Sequence, residues 1–382
     1  MKLPSTSSAD AAVDVAAEDV ESLLRLVLVS GVGPRLRQAL VARFGSPVAV
    51  LNAREDELRS VEGIGGKLAS AIVRAQHEID VSAELALCRA HGVTILTQSH
   101  TDYPRLLREI HDPPGVLFVR GALKPQDALS MAIVGARHAT HYGLSQAEKL
   151  ASGLARAGLT ITSGLARGID AAAHRGALAA GRRTLAVLAN GLAEIYPPEH
   201  AALATEVAAS GALLSEAPMR VVPMKGAFPQ RNRLISGMTL GVIVVEAAAR
   251  SGALITARHA MEQGREVFAV PGRVDNLMSR GCHRLIRDGA KLVETVDDVL
   301  EELGPLVEAA PAANGQTVHH PAELSLNEME QLILAAVRTD PTPIDELVTT
   351  TGVPPAQVLA TLSALEMRRL IRRLSGNLVV RR

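Results

Sequence analysis

Arg137 stands just after an apolar run and a glycine, with Ala136 between, in IVGARHATHYG (133–143). Five more segments pass from a short apolar stretch into a turn rich in Gly, Arg, His, Ser or Asp. They are TSGLARGIDAAAH (162–174), LANGLAEIYPPEH (188–200), FPQRNRLISG (228–237), EAAARSGALITA (246–257) and VPGRVDNLMSRGCH (270–283). A guanidinium at the end of a strand can meet a phosphate bidentately while nearby backbone N–H groups assist, a contact that positions without breaking bonds. PMKGAFPQRNRLISG (223–237) gathers Lys225, Arg231 and Arg233 with Asn232 and Phe228, supplying phosphate charge, base-edge hydrogen bonding and one stacking face. Gly135, Ser163, Gly164, Arg167, Ser251 and Gly252, in the neighbouring turns, complete the expected contact set. The competing reading of Arg231 and Arg233 is internal ion pairing with acids that end neighbouring strands, such as Glu216 and Glu246.

With no Trp, 3 Tyr and 4 Phe, stacking cannot be the main source of affinity, so the expected grip is on the strand backbone with weak sequence preference. If Arg137, Lys225, Arg231 and Arg233 each neutralise one phosphate, affinity falls with salt at a log–log slope of about −3, at roughly 0.7 per contact.

Other chemistries lack their residues. The first turn has no GxGxxG, no acid closes the following strand LTITSG (159–164), and neither GxSxG nor HExxH occurs. Lys67 in GGK belongs to no GxxxxGK[ST]. Asp170 and His174, four apart and near Ser163, could be drawn as a hydrolytic set, but an Asp at a helix start reads first as a cap and a His one turn on as its neighbour. Cys88 and Cys282 stand apart from any CxxC or His spacing, which supports neither a disulfide framework nor zinc. No catalytic residue, cofactor or metal is expected.

Apolar runs alternating with helical patterns imply an α/β fold with a parallel sheet, whose connection rules bring such turns to the carboxyl edge. This extended Rossmann-like domain is expected over 81–303. Its lead-in is a helix (80–92), a strand (93–97), the Pro113–Pro114 break and the strand GVLFVRG, which are expected to add strands to the main sheet. Residues 1–20 read as a disordered arm. Over 21–80, VSGVGPRLRQAL (29–40) and VEGIGGKLASAI (61–72) are two similar glycine hairpins, each opening a helix with a basic residue in its first turn: a helix–hairpin–helix pattern. It could bind nucleic acid, or the glycines could only cap a small bundle. The Pro/Ala-rich 304–323 reads as a flexible linker. Three helices and a hairpin over 324–382 give a winged-helix pattern, with Arg368, Arg369, Arg372, Arg373, Arg381 and Arg382 at its end. Those arginines suit phosphate contact, and the competing role is protein contact or shielding of another domain.

The chain has 382 residues, 47% of them hydrophobic, enough for several cores. Lys+Arg and Asp+Glu are 40 each, so no net field draws a polyanion and any nucleic-acid contact must come from local clustering. The acidic amino terminus lacks the order of a signal peptide and no long apolar run occurs, so a cytoplasmic protein with no membrane contact is expected.

Together, DYPRLLREIHDPPGVLFVRG, AIVGARHATHYG, SGLARGIDAAAHRGAL, AVLANGLAEIYPPEH, LLSEAP, FPQRNRLISG, VVEAAARSGALITARHA, GREVFAVPG and SRGCHRLIRDGAKLV occur in an order that resembles the DNA-processing protein A (DprA/Smf) family over nearly the whole chain. The resemblance implies an extended Rossmann-type domain that binds single-stranded DNA, forms homodimers and loads a RecA-type recombinase during natural transformation. By motif it implies that Arg137 and Lys225 are basic contacts and that Arg231, Asn232 and Arg233 form or shape the pocket. Ala136 stands where the family commonly has Ser, Asn190 where it has Gly, and Ile235–Thr239 replaces its usual run. The main rival is an enzyme of the lysine-decarboxylase-like Rossmann group, which cleaves nucleotide N-glycosidic bonds at PGGxGTxxE. The comparable RSGALITARHA (250–260) lacks both the doubled glycine and the glutamate. A third reading is an interaction scaffold with a vestigial DNA pocket.

Overall fold

The computed structural model describes residues 20–382. The chain divides into two compact units, one comprising the chain up to Leu123 with Leu185–Met238, the other Lys124–Thr184 with Thr239–Arg382. The arm expected over 1–20 lies outside the described residues, except for Val20.

In the first unit, helical residues 20–28 are followed by helices Pro34–Phe44, Pro47–Leu51, Glu55–Leu58 and Gly66–Glu78. Leu26, Leu40, Val50, Leu58, Ala69 and Ile72 close around one another as a core of this helical region. Gly31 and Gly63, at φ 93° and 87°, make the two hairpin turns in the left-handed region that favours glycine. Asp80 then caps helix Val81–Ala90 by accepting from the Ser82 and Ala83 N–H groups. Strands β1 (Val93–Thr97) and β2 (Val116–Gly121) pair antiparallel, and β2 pairs antiparallel with β6 (Ala212–Ser215). β6 lies parallel to Leu185–Val187 of β5 (Thr184–Val187). The lead-in strands thus join as expected, with β2 running against the parallel pair and β1 in the same direction as it.

The second unit carries a wholly parallel set in the order β4 (Thr160–Ser163), β3 (Ser130–Gly135), β7 (Gly241–Val245), β8 (Glu266–Ala269), β9 (Lys291–Leu292). Helices His141–Arg156, Ile169–Ala179, Gly252–Glu262 and Arg280–Arg287 follow β3, β4, β7 and β8. β4 and β7 are buried along their whole length, and β7, GVIVV, accordingly reads as an unbroken apolar run rather than an alternating one. Ile133, Ile161, Ile243 and Phe268 pack with Leu150 and Leu154 in a core that continues without a break through Val299 and Leu303 to Leu334, Leu362 and Leu365. Each such side chain, fully buried, contributes roughly 1.5–3 kcal/mol.

The last of these residues belong to the winged helix: helices Glu328–Ala336, Ile344–Thr351 and Pro355–Met367, with strand Leu378–Arg381 between Thr342–Pro343 and Ile371–Leu374. The expected flexible linker before it is a correction. Within 304–323, Ala310–Pro311 pairs with Thr317–Val318 as a small hairpin, and Ala310 and Val318 bury against Leu129. Two apolar contacts of this kind hold the segment down, and its Pro/Ala composition conceals them.

Candidate nucleic-acid interface

In the second unit, the carboxyl ends of adjacent β3 and β4 lead into two turns whose arginines, Arg137 and Arg167, are exposed. The chain path there depends on glycine. A Cβ at Gly135 would lie 1.9 Å from the Val245 carbonyl oxygen, and one at Gly168, where φ is +76°, would lie 2.2 Å from the Ala136 oxygen. Gly135 therefore serves the packing of β3 on β7 rather than leaving room for a ligand. Leu165 and Glu246 also have positive φ (56° and 51°), in the turns after β4 and β7. Non-glycine residues reach this conformation only when their surroundings hold them there. Glu246 is held by Thr140, whose N–H and hydroxyl donate to it at 2.8 and 2.5 Å. The neighbouring turn ends with Ser251, which caps helix Gly252–Glu262 by accepting from Ala253 N–H, leaving Gly252 exposed at the helix start. A helix start of this kind favours negative charge.

Other members of the expected set face inward. Ser163 is fully buried and its hydroxyl donates to the Ile133 carbonyl at 2.6 Å. The Gly164 N–H donates to Asp170 at 3.1 Å, with Ala166 N–H at 3.4 Å on the same oxygen. Asp170 thus shapes the turn that presents Arg167. His174 lies fully buried with Nδ1 2.7 Å from the Thr184 hydroxyl, which donates to the Ile161 carbonyl. These contacts make Asp170 and His174 parts of the frame.

In the first unit, helix Ala227–Gly237 turns Arg231, Asn232 and Arg233 into the protein, at 5%, 9% and 6% exposure. Arg231 donates to the Val187 carbonyl and, at 3.3 Å, to the Asn232 side-chain oxygen. Arg233 donates to the Asp112 carbonyl at 2.7 Å and to the Glu216 carboxylate at 2.5 Å, and its Nε lies 3.6 Å from the Asp112 carboxylate. Burial pushes the Glu216 carboxyl up, while the Arg233 and Arg37 guanidiniums pull the other way. Of the acids considered for these arginines, Glu216 takes Arg233, whereas Glu246 holds Thr140. Lys225, just before the helix, is exposed, and half-buried Phe228 meets Tyr196 with ring centres 6.0 Å apart and planes at 56°. Tyr196 was not among the expected residues, since nothing in LAEIYPPEH marks it as a neighbour of Phe228. The four-phosphate expectation therefore loses Arg231 and Arg233 as outward-facing cations.

The arginines that end the winged helix are largely engaged within the second unit. Arg381 pairs with Glu323 at 2.8 Å, Arg369 with Glu302 and Arg368 with Glu330 at 3.8 Å, and Arg373 with Glu366 at 3.5 Å. Their clustering in sequence thus reflects intramolecular pairing more than an open basic face. Among the described residues no group of His, Cys, Asp and Glu could hold a metal ion. Cys88 and Cys282 are both buried, and burial pushes their thiols up to about 11.

Comparison with known proteins places this architecture. Residues 94–304, more than half of the chain, match the family described as DNA recombination-mediator protein A. Residues 317–377 match the DprA winged helix domain and 20–77 a SAM-like helix-hairpin-helix tandem. Protein Smf of Synechocystis sp. is 36% identical over 374 residues, covering 90% of this chain and 94% of its own. DNA processing protein DprA of Bacillus subtilis is 44% identical over 220 residues, 57% of this chain and 74% of its own. The X-ray structure of DNA processing protein A from Streptococcus pneumoniae superposes with a TM-score of 0.66 at 35% identity, covering 74% of this chain and 97% of that one. A structure of DNA processing protein A from Helicobacter pylori, described for its single-stranded DNA binding mode, matches at TM-score 0.50 and 31% identity, over 54% of this chain and 93% of that one.

Proposed function

Because the chain belongs to the DNA recombination-mediator protein A family, we propose that it binds single-stranded DNA and serves DNA processing in transformation and recombination. The observation that carries this reading is the pair of exposed arginines, Arg137 and Arg167, at the ends of adjacent strands β3 and β4. Exposed Gly252 stands at the start of its helix, an end whose dipole favours negative charge. The first unit has, by itself, an exposed cation in Lys225 and an aromatic surface in Phe228 with Tyr196. Arg231, Asn232 and Arg233 act beneath this surface as supports, and Ser163 and Gly164 likewise hold the turn they lie in.

The protein holds the strand without breaking bonds. Ser163, Asp170 and His174 are engaged with backbone and hydroxyl partners in the frame. The glycosidase alternative lacks its carboxylate, for helix Gly252–Glu262 has no acid in its first turn. Its partners, in this reading, are a RecA-type recombinase, loaded onto the bound strand, and a second copy of the chain. The dimer joins through the α/β domain, where β9 ends the strand order with both residues exposed. No helix among the described residues is long and apolar enough to cross a membrane, and the protein acts in the cytoplasm.

Fluorescence anisotropy on a poly-dT oligomer, over a salt series, tests this reading. Wild-type chain should prefer single strand to duplex, and Arg137→Ala should weaken binding and flatten the salt dependence. Tighter binding to duplex would overturn it.

A further inference from the structure

The two glycine hairpins of the helical region are alike in sequence, yet the structure gives them different surroundings. In the second, Lys67 is exposed at the start of helix Gly66–Glu78, and a Cβ at Gly65 or Gly66 would meet nothing within 4 Å. In the first, Arg35 and Arg37 of helix Pro34–Phe44 meet the α/β part of the same unit. Arg35 Nε lies 3.5 Å from Asp112 Oδ2, the oxygen that Arg233 Nε also approaches, at 3.6 Å. Arg37 is buried at 6% exposure against the Pro113–Pro114–Gly115 corner that follows Asp112. A Cβ at Gly115 would stand only 2.6 Å from Arg37 Nε, so glycine is what admits the guanidinium here. Tyr103 fixes the corner by donating to the Pro114 carbonyl at 2.8 Å. Burial lowers the Arg37 pKa, and the charges of Glu216 and of its partner Arg233, in helix Ala227–Gly237, act on it in opposite senses.

We propose that the first hairpin is an internal brace rather than a nucleic-acid contact: Arg35 and Arg37 hold Asp112 and its corner against Arg233, and thereby fix the segment 223–230 that presents Lys225 and Phe228. The inference rests on the proposed role of Lys225 and extends it to residues that touch no DNA. Asp112 is the shared point. It receives one arginine from the helical region and one from the helix that carries the RNR run, so displacement on either side is felt on the other. A void of about 730 Å³, lined by Arg37, Pro34, Val41, Pro47 and Pro113 among others, opens beside the brace. Neighbouring side chains therefore do not close over the site when Arg37 is shortened, and the corner loses its support outright.

The test uses the full chain with Arg37→Met, which keeps the buried aliphatic length and removes the charge. Hydrogen exchange over 223–230 should quicken about tenfold, and affinity for poly-dT should fall about fivefold, within the usual range of coupling between groups in one network. The salt slope should not change, because no phosphate contact is lost, whereas Lys225→Ala should lower its magnitude by about 0.7. The double variant should bind less weakly than the two single effects multiplied. Lys67→Ala should leave exchange over 223–230 as in wild type. Unchanged exchange over 223–230 in Arg37→Met would overturn the brace, as would a slope that falls as far as in Lys225→Ala. If Arg37→Met does not fold, Arg35→Ala, altering an exposed side chain, gives the same exchange readout at smaller size. If Lys225→Ala leaves affinity unchanged, the binding role of that segment fails, while the exchange result still decides the brace.

Discussion

Arg137 and Arg233 make an instructive pair. Both stand in turn-and-helix segments beside a glycine or a polar neighbour, and both read from sequence as phosphate contacts. Arg137 ends exposed, in a turn shaped by backbone approach; Arg233 ends buried, between two carboxylates. What separates them is the acids around them. The acid at the end of β7, Glu246, holds Thr140 at the start of helix His141–Arg156. In the first unit Glu216, just past β6, and Asp112 both converge on Arg233. Where two carboxylates converge on a guanidinium, as at Arg233, the side chain is turned into the protein.

Substitutions can break this contrast, and the largest effect is expected at the buried arginine. Arg233→Ala removes the ion-pair partner of Glu216 and leaves Asp112 only Arg35, and should cost about 3 kcal/mol of stability, measured by urea unfolding. Each unit also carries its own buried thiol, so labelling can locate the damage. Raised to about 11 from 9.0, Cys88 and Cys282 hold about a hundredfold less thiolate than an open cysteine. Arg233→Ala should speed alkylation of Cys88, in its own unit, far more than that of Cys282. Equal acceleration of both would mean that the two units do not yield separately.

Next in size is Gly135→Ala. Its added Cβ must displace the Val245 carbonyl, so the loss should be about 1–3 kcal/mol, read as a lower Tm. Arg137→Ala should do the reverse of Arg233→Ala. Stability should stay within about 0.5 kcal/mol of wild type, while single-strand affinity falls about tenfold, as expected for one charge-assisted contact. A matching loss of stability would show that Arg137 is also part of the frame. The smallest effect is on salt dependence. With Arg137, Arg167 and Lys225 as the outward cations, the log–log slope should be about −2, against the −3 expected when Arg231 and Arg233 were counted. A slope of about −3.5 would restore those two as contacts.

Much of this architecture was legible in the chain. Apolar runs such as GVIVV, closed by glycine turns, mark strands buried on both faces, and the repeated hairpin glycines and the three late helices fall where their patterns place them. The direction of Arg233 was not legible, because one of its partners, Asp112, lies 121 residues away and no local rule links them. Ser163 looked like a ligand group because a hydroxyl at a strand end can point either way, and only the neighbouring Ile133 carbonyl decides it. The hairpin in 304–323 escaped notice because each of its strands is two residues long and its anchor, Leu129, is remote in sequence.

That small hairpin and the unbroken core beyond it govern what the winged helix can do. A module on a slack leash sweeps a volume and meets partners at any angle. Here the apolar interior runs from Phe268 to Leu365 within one unit, so the winged helix behaves as a fixed limb. Whatever grasps it is delivered at a set orientation to the parallel strands of the same unit, and cutting the limb away would strip the oil from one side of that sheet's own core.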